Sequence, residues 1–326
     1  MRVLAGDVGG TKTWLALYEG RDHEFRELRS SRFSSSAFHS LAPMIRVFLG
    51  NETHVIERAA FGVAGPVIDD VCNATNLPWR IDARRLEADL EIPRIRLIND
   101  FQAVALGVPS LQSDDLFVLQ DREVDPQGPI AVIGAGTGLG EAIMVPSAEG
   151  LRVLPSEGGH TDFAPRNEIE IELLRFLLRR HERVSYERVV SGPGLVTLYE
   201  FVTTHGIAPE NETIRARMGG EDPAAVIGGA ALDRSDEACS RAVELFLSLY
   251  GAEAGNLALK VLPTGGLYIA GGIAPRLLPL LRGGAFLEAF HQKGRMTPLV
   301  DALRVAVITN TQVGLLGARN VAAKLD

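Results

Sequence analysis

Residues 4–17 read LAGDVGGTKTWLAL, and residues 129–145 read PIAVIGAGTGLGEAIMV. Each is an apolar strand-like run, a turn rich in glycine and threonine, and a second strand-like run. Together they read as a short internal repeat, which predicts two related halves facing one another. The first copy adds a feature that a plain hairpin does not need. Asp7 stands directly before Val8, Gly9, Gly10 and Thr11, where the glycines alone would serve the turn.

Phosphate chemistry accounts for that composition. A nucleotide's phosphates call for backbone N–H donors at close approach, which glycine permits because it has no Cβ. Thr11 adds a hydroxyl and Lys12 a positive charge. Asp7 would repel phosphate directly, yet it can hold a hydrated magnesium ion that does not. Taken alone, this first turn is equally well an ordinary hairpin. The second copy shifts the balance, because Gly134, Gly136, Gly138 and Gly140 surround Thr137 in another backbone nest. No Gly-Lys-Ser/Thr follows, so it is not a Walker loop. The segment after it reads as strand and not helix, which excludes the dinucleotide fingerprint. A third pair, Gly271-Gly272, lies between the strand of GGLYIAGGIAPR (265–276) and a helix expected to start with Pro275 near its first position. Three such turns favour a nucleotide cleft.

Two polar groups carry further chemistry. RIRLIND (94–100) is a strand ending in Asn99 and Asp100. A strand-end Asp can accept a proton from an alcohol, and Asn99 offers a donor and an acceptor to neighbouring hydroxyls. The same pair can cap the following helix, FQAVALGV, and the two roles are compatible. SEGGH (156–160) sets Glu157 and His160 three apart. On a helix this would resemble a metal pair, but its two glycines argue for a loop that aims both groups at hydroxyls. Glu187, in SYERVVSGPG, reads by itself as an ordinary first-turn acid behind Ser185 as N-cap.

The rest of the chain is consistent with a soluble two-domain protein. It has 326 residues, 46% apolar and 23% charged, enough to bury a core without disulfides or metals. A net charge of -8 argues against a nucleic-acid partner. Cys72 and Cys239 lack metal spacing and fit a reducing compartment. No apolar run has the length of a membrane span, and Asp7 interrupts any signal-peptide core, so the expected location is the cytoplasm. The glycosylation patterns at Asn51, Asn73 and Asn211 are then incidental. RVLAGDV, TWLALYE (13–19) and FREL (25–28) predict a meander, and RAAFGVAGPV (58–67) a buried strand. Helices are expected over 41–50, over 83–90 behind Asp82, and over 167–182 behind Asn167 and Glu170 with Arg179, Arg180 and His181 in the last turn. A long helix or a pair fills 235–262, a late strand 303–310, and a closing helix 313–325.

LAGDVGGTKTWLAL, FGVAGPV, RLINDF, GAGTGLG, LPSEGGHTDFAP, RVVSGPGLV and YIAGGIAPR occur in one order along nearly the whole chain. This set resembles the bacterial glucokinases, in the zinc-free branch of the actin-like sugar kinase superfamily. The resemblance implies an α/β, two-domain actin-like ATPase (ribonuclease H-like) fold with an interdomain cleft. Residues 1–109 would form a small domain completed by a helix at 311–326, and 110–310 a large one. The reaction implied is transfer of the γ-phosphoryl group of ATP to the 6-hydroxyl of D-glucose. Asp100 would be the base, with Asn99, Glu157, His160 and Glu187 on the other hydroxyls. Asp7, Val8, Gly9, Gly10, Thr11 and Lys12 would form one phosphate loop and Gly136, Thr137 and Gly138 the other. Gly271 and Gly272 would lie near the adenosine, and Asp7 near Mg2+ through water. Closure of the domains on sugar would exclude water, and a homodimer is implied. Lys12 departs from the Asn common in this branch, and the zinc cluster of the related group is missing. A kinase for mannose, N-acetylglucosamine or another hexose is the alternative. A sugar-sensing regulator is a third, although regulators carry a DNA-binding helix-turn-helix ahead of the first strand, and here RVLAGDV begins at residue 2.

Overall fold

The computed structural model describes residues 1–21, 24–50, 56–75, 77–148, 150–282 and 284–325; the pattern at Asn51 lies outside them. The chain divides into two compact units, Met1–Asp115 with Asn310–Asp326, and Leu116–Thr309. Among the described residues no helix is long and apolar enough to cross a membrane.

The first unit is built on β1 (Arg2–Val8), β2 (Lys12–Arg21), β3 (Glu24–Ser34), α1 (Leu41–Leu49) and β4 (Arg58–Val63). A small hairpin sheet follows, β5 (Val67–Ile68), β6 (Val71–Asn73) and β7 (Arg80–Asp82), then α2 (Ala83–Leu90), β8 (Arg94–Asn99) and α3 (Asp100–Gly107). The main sheet has the order β3-β2-β1-β4-β8, with β1–β4 and β4–β8 parallel. Period-two alternation divides its side chains between two faces. Leu4, Leu15, Leu17, Phe61 and Leu97 face α1 and α2, while Val3, Ala5, Ala16 and Ala60 face the closing helix Val313–Ala323. The expected strand 58–67 stops at Val63, because the chain turns at Gly65 with φ +141°.

The second unit contains β9 (Leu116–Gln120), β10 (Ile130–Ala135), β11 (Leu139–Ser147) and β12 (Gly150–Leu154). Its helical insertion runs through α4 (Glu168–Leu178), α5 (Gly192–Thr204), α6 (Glu212–Met218), α7 (Pro223–Leu232) and α8 (Glu237–Val261). The remaining elements are β13 (Leu267–Ala270), α9 (Leu278–Leu281), α10 (Ala285–His291), α11 (Thr297–Asp301) and β14 (Val305–Ile308); the closing helix becomes α12. The sheet order is β12-β11-β10-β13-β14-β9. Apart from the edge strand β9, this repeats the first unit: an antiparallel three-strand meander followed by two parallel strands. The internal repeat in the sequence is therefore a repeat of topology.

The structure resolves one open helix reading and moves helix limits in two other places. Region 235–262 is one helix, α8, capped by Asp236 on the Cys239 N–H (2.7 Å). Arg179, Arg180 and His181 fall beyond α4, and the Arg180 guanidinium lies over Phe176 while pairing with Glu200 (2.6 Å). Pro275 sits in a run of turns, and the helix starts at Leu278, with Pro279 in its first turn.

Glycines set the close approaches that fix these layers. A Cβ on Gly317 of α12 would lie 1.8 Å from the Ala103 carbonyl of α3, and one on Gly107 2.0 Å from the Val313 carbonyl. The crossing of α3 and α12 thus depends on bare backbone.

Candidate active site

In the first unit, β1 delivers Asp7 and the turn after it delivers Gly9–Lys12. The Gly9 N–H donates to the Lys12 carbonyl (3.0 Å), closing the loop. Ser35 braces it: its N–H donates to the Thr11 carbonyl (3.0 Å) and its hydroxyl to the Gly9 carbonyl (2.7 Å). Thr13 Oγ1 is 3.0 Å from that buried hydroxyl. Thr11 and Lys12 are exposed, whereas Val8 is buried in the core and can offer only its backbone. Ser35 carries no sequence signal beyond its place in a serine run.

Asn99 ends β8 and caps α3, with Oδ1 accepting from the N–H groups of Phe101 (2.9 Å) and Gln102 (3.2 Å). Its amide also donates to the Gly65 carbonyl (3.2 Å). The capping role is thus filled, which leaves one amide N–H for a ligand. Asp100 is the first residue of α3 and not the last of the strand, and its Oδ1 accepts from the Phe101 N–H (2.8 Å).

Asp7 is pushed up from the ordinary 3.8 to about 6, first by burial and then by the charge of Asp100. Two carboxylates held this way suit a cation, which relieves both the desolvation and the repulsion. Because the native state binds this proton more tightly than the unfolded chain, the associated stability is full below pH 3.8 and lost as pH rises through about 6. Asp7→Asn is therefore expected to stabilise the metal-free protein at pH 7, by on the order of 2 kcal/mol. Thermal melts of both proteins at pH 4 and pH 7 without divalent cations check this: the advantage should shrink at pH 4.

In the second unit, β10 and β11 pair with Gly134 opposite Gly140, so only Gly136 and Gly138 flank the turn around exposed Thr137. The Gly136 N–H donates to the Gly138 carbonyl (2.8 Å) and the Gly192 N–H to the Gly136 carbonyl (2.8 Å). Tyr250 of α8 clamps the strand below, its buried hydroxyl accepting from the Ala135 N–H (3.1 Å) and lying 3.3 Å from the Ile133 carbonyl. On the neighbouring strand Gly271 takes φ +82°, and a Cβ there would lie 2.3 Å from the Ala135 carbonyl.

Glu157, His160 and Glu187 come together here. His160 Nε2 is 4.0 Å from Glu157 Oε2, and Nδ1 is 3.9 Å from Glu187 Oε1. These separations exceed a hydrogen bond, and a hydroxyl placed among the groups could bridge them. Glu187 Oε2 meanwhile accepts from the Leu139 N–H (2.9 Å), directly after the glycine turn. A Cβ on Gly138 would fall 2.4 Å from that oxygen. Glu187 sits in a 3-10 turn, Tyr186–Arg188, and Ser185 makes no cap bond to it. The segment is instead tied to the SEGGH loop by the Tyr186 N–H to the Thr161 carbonyl (3.0 Å) and by a bridge between Asp162 and Ser185. The cap is Ser191, at the start of α5, whose hydroxyl also donates to the Glu187 carbonyl (2.7 Å).

A cavity of about 930 Å³ opens beside the same turn, with Gly136, Thr137, Gly192, Gly229, Gly272 and Arg276 in its wall. Its volume suits a nucleoside-sized ligand. The wall from α7, PAAVIGGAAL, gave no sequence signal, because small apolar residues at helical spacing read equally as core.

The sequence matches the family model described as Glucokinase over residues 4–325. It is 47% identical to a glucokinase of Nostoc punctiforme, with 99% of each chain covered. Among solved structures, it is similar to a glucokinase from an Antarctic psychrotroph, with a TM-score of 0.87, 33% identity and 99% coverage of both chains. It is also similar in fold to a Balamuthia mandrillaris glucokinase in complex with glucose, with a TM-score of 0.80, 24% identity, and coverage of 98% of this chain and 93% of that one.

Proposed function

This chain belongs to the glucokinase family, and from that premise we propose that it transfers the γ-phosphoryl group of ATP to the 6-hydroxyl of D-glucose. The observation that carries the reading is Glu187. One of its oxygens holds the backbone that follows a glycine turn, and the other joins Glu157 and His160 in a group suited to hydroxyls. A single side chain thereby couples a phosphate loop to a polyol site.

In this reading Asp100 accepts the proton of the sugar's 6-hydroxyl, and the remaining amide N–H of Asn99 serves a neighbouring hydroxyl. Glu157, His160 and Glu187 take the others. Backbone N–H groups from Gly9 to Lys12 and from Gly136 to Gly138 hold phosphate oxygens, with Thr11, Lys12 and Thr137 adding side-chain donors. Such transfer depends on positioning and charge neutralisation more than on covalent chemistry. Bound Mg2+ would neutralise phosphate charge, held by Asp7 through water. No group of three His, Cys, Asp or Glu residues forms a metal cage among the described residues, so phosphates and water would complete its shell. The adenosine occupies the cavity beside Gly272. A cytoplasmic homodimer feeding glycolysis is the setting proposed on family grounds.

A coupled assay of ADP release with a panel of hexoses tests the assignment. Glucose should give the highest kcat/KM, and a sugar lacking one contacted hydroxyl should fall by up to roughly 10⁴-fold. A higher kcat/KM for mannose or N-acetylglucosamine would replace glucose as the substrate.

Gly229 tests the nucleotide end. It lines the cavity within α7, and a Cβ there would meet nothing within 4 Å. Gly229→Leu should leave the fold intact, or add up to about 1 kcal/mol by removing a helical glycine. It should raise the KM for ATP about tenfold or more by filling the space, since overpacking a bound base costs about 1–3 kcal/mol. Calorimetric ATP titration together with a melt separates the two effects.

A further inference from the structure

Two acidic side chains of the second unit take no part in the proposed chemistry and are shut away from solvent. Glu141 on β11 is 4% exposed and Glu253 in α8 is 1% exposed. Their carboxyl groups face one another within hydrogen-bonding range. Counted as two carboxylates, each has an oxygen, Oε1 in both, without a hydrogen-bond partner among the described residues. Buried acceptors left in that state are costly, and two anions in contact add repulsion. One proton held between them turns an orphaned pair into a donor and an acceptor.

Glu141 meets one arm of the hydroxyl-binding group directly, and Glu253 reaches the other through Asn256. On one side lies Gly158 of the SEGGH loop, so close that a Cβ there would fall 1.8 Å from Glu141 Oε2. On the other, Asn256 donates to Glu253 Oε2 (2.9 Å) and lies 3.2 Å from the hydroxyl of Tyr186, next to Glu187. Lys293 donates to Asn256 Oδ1 (2.8 Å) and to the Ala252 carbonyl (2.9 Å), closing the network from outside α8.

We propose that Glu141 and Glu253 share one proton, and that this pair positions the SEGGH loop and the Tyr186–Glu187 turn for sugar binding. They act as positioning residues, and the inference rests on the hexokinase reading of the site. When the proton leaves, two negative charges stand in contact under Gly158, and the loop that carries Glu157 and His160 must move away. Sugar affinity is then present with the proton in place and lost without it.

The titration falls in an accessible range. Glu141 is pushed up to about 8, by burial first and by Glu253 second, with Lys260 opposing. The other charged or titratable groups around the pair are Tyr250 and Lys260 of α8, Tyr186 of the 3-10 turn, Arg166 ahead of α4, and Lys293 beyond α10. Lys260 Nζ stands 3.6 Å from Glu253 Oε1. Lys293 is lowered to about 8, chiefly by burial, so its charge fades over the same interval and does not rescue the dianion.

If only the protonated pair binds sugar, the KM for glucose rises about tenfold between pH 7 and pH 9, with kcat changed far less. Glu141→Gln cannot ionise, so its KM should be flat over that interval. Glu141→Ala should bind sugar poorly at every pH, with the amide variant recovering most of the loss. A wild-type KM that is flat from pH 7 to pH 9, or a Glu141→Gln profile that rises like the wild type, overturns the proposal. Infrared spectra of the full chain carrying ¹³C-labelled glutamate decide the matter if the variants do not fold. A protonated carboxyl band at pH 7 that is lost near pH 8 supports the shared proton, and its absence refutes it. That band is read without sugar, so it stands apart from any failure to phosphorylate glucose.

Discussion

Asp100→Ala is expected to lower kcat by about 10³–10⁴-fold while moving the KM for glucose by less than about tenfold. A general base acts on a proton that moves only in the transition state, so its loss falls on turnover and spares ground-state binding. Asp100→Asn makes the sharper test. The amide keeps the size of the side chain and an acceptor for the Phe101 N–H (2.8 Å), so the start of α3 should stay folded. It cannot take the proton, and its kcat should fall as far as that of the alanine variant. A second readout comes from Asp7, whose pKa of about 6 owes its smaller part to Asp100. Removing that charge should bring Asp7 partway back towards 3.8, which shifts the acid limb of metal binding to lower pH. An Asp100→Asn enzyme that keeps more than about a tenth of wild-type turnover would remove Asp100 as the base.

What the sequence carried depended on whether a signal was local. Two hairpins with glycine turns, and strands of alternating apolar residues, were enough to foresee the inner strands of both large sheets and the repeat between them, because turn chemistry and period-two patterning act within a few residues, while β9, β12 and the small hairpin sheet went unread. The caps by Asp82, Asn99 and Asn167 are local for the same reason. Ser185 misled because a serine before an acidic turn is a good cap only if a helix follows. Here the Thr161 carbonyl and Asp162, both distant in sequence, hold the segment in a 3-10 turn. Glu187 was therefore unremarkable from its neighbours, and the resemblance to a family was needed to single it out. Its bond to Leu139 crosses 48 residues. Ser35, Gly317 and the Glu141–Glu253 pair went unread for the same reason: each matters through a contact with a remote segment, which one sequence does not record.

Glu187→Ala carries the second large effect, and the expected result is a fall in kcat/KM for glucose of about 10²–10⁴-fold, mostly through KM. The estimate follows from two charge-assisted hydrogen bonds, each contributing about 1.5–3 kcal/mol. One is the bond to the Leu139 N–H, and the other is the proposed bond to a sugar hydroxyl. The two can be separated. Glu187→Gln keeps an acceptor for Leu139 and loses only charge, so it should weaken sugar binding less than alanine while leaving the KM for ATP near its wild-type value. Glu187→Ala also leaves the Leu139 N–H unpaired beside Gly138, and the glycine turn it holds should loosen, raising the KM for ATP as well. Deoxy sugars complete a cycle. For wild type, removing the hydroxyl that faces Glu187 should cost only the sugar-bond part of the alanine effect, since the bond to the Leu139 N–H stays intact. In the alanine variant, removing the same hydroxyl should cost almost nothing further, because its partner is already gone. If no deoxyglucose shows that loss of penalty, Glu187 is a strut for the turn and the hydroxyl contact belongs to its neighbours. If one does, the position of that hydroxyl on the ring fixes which way round the sugar lies against Glu157 and His160.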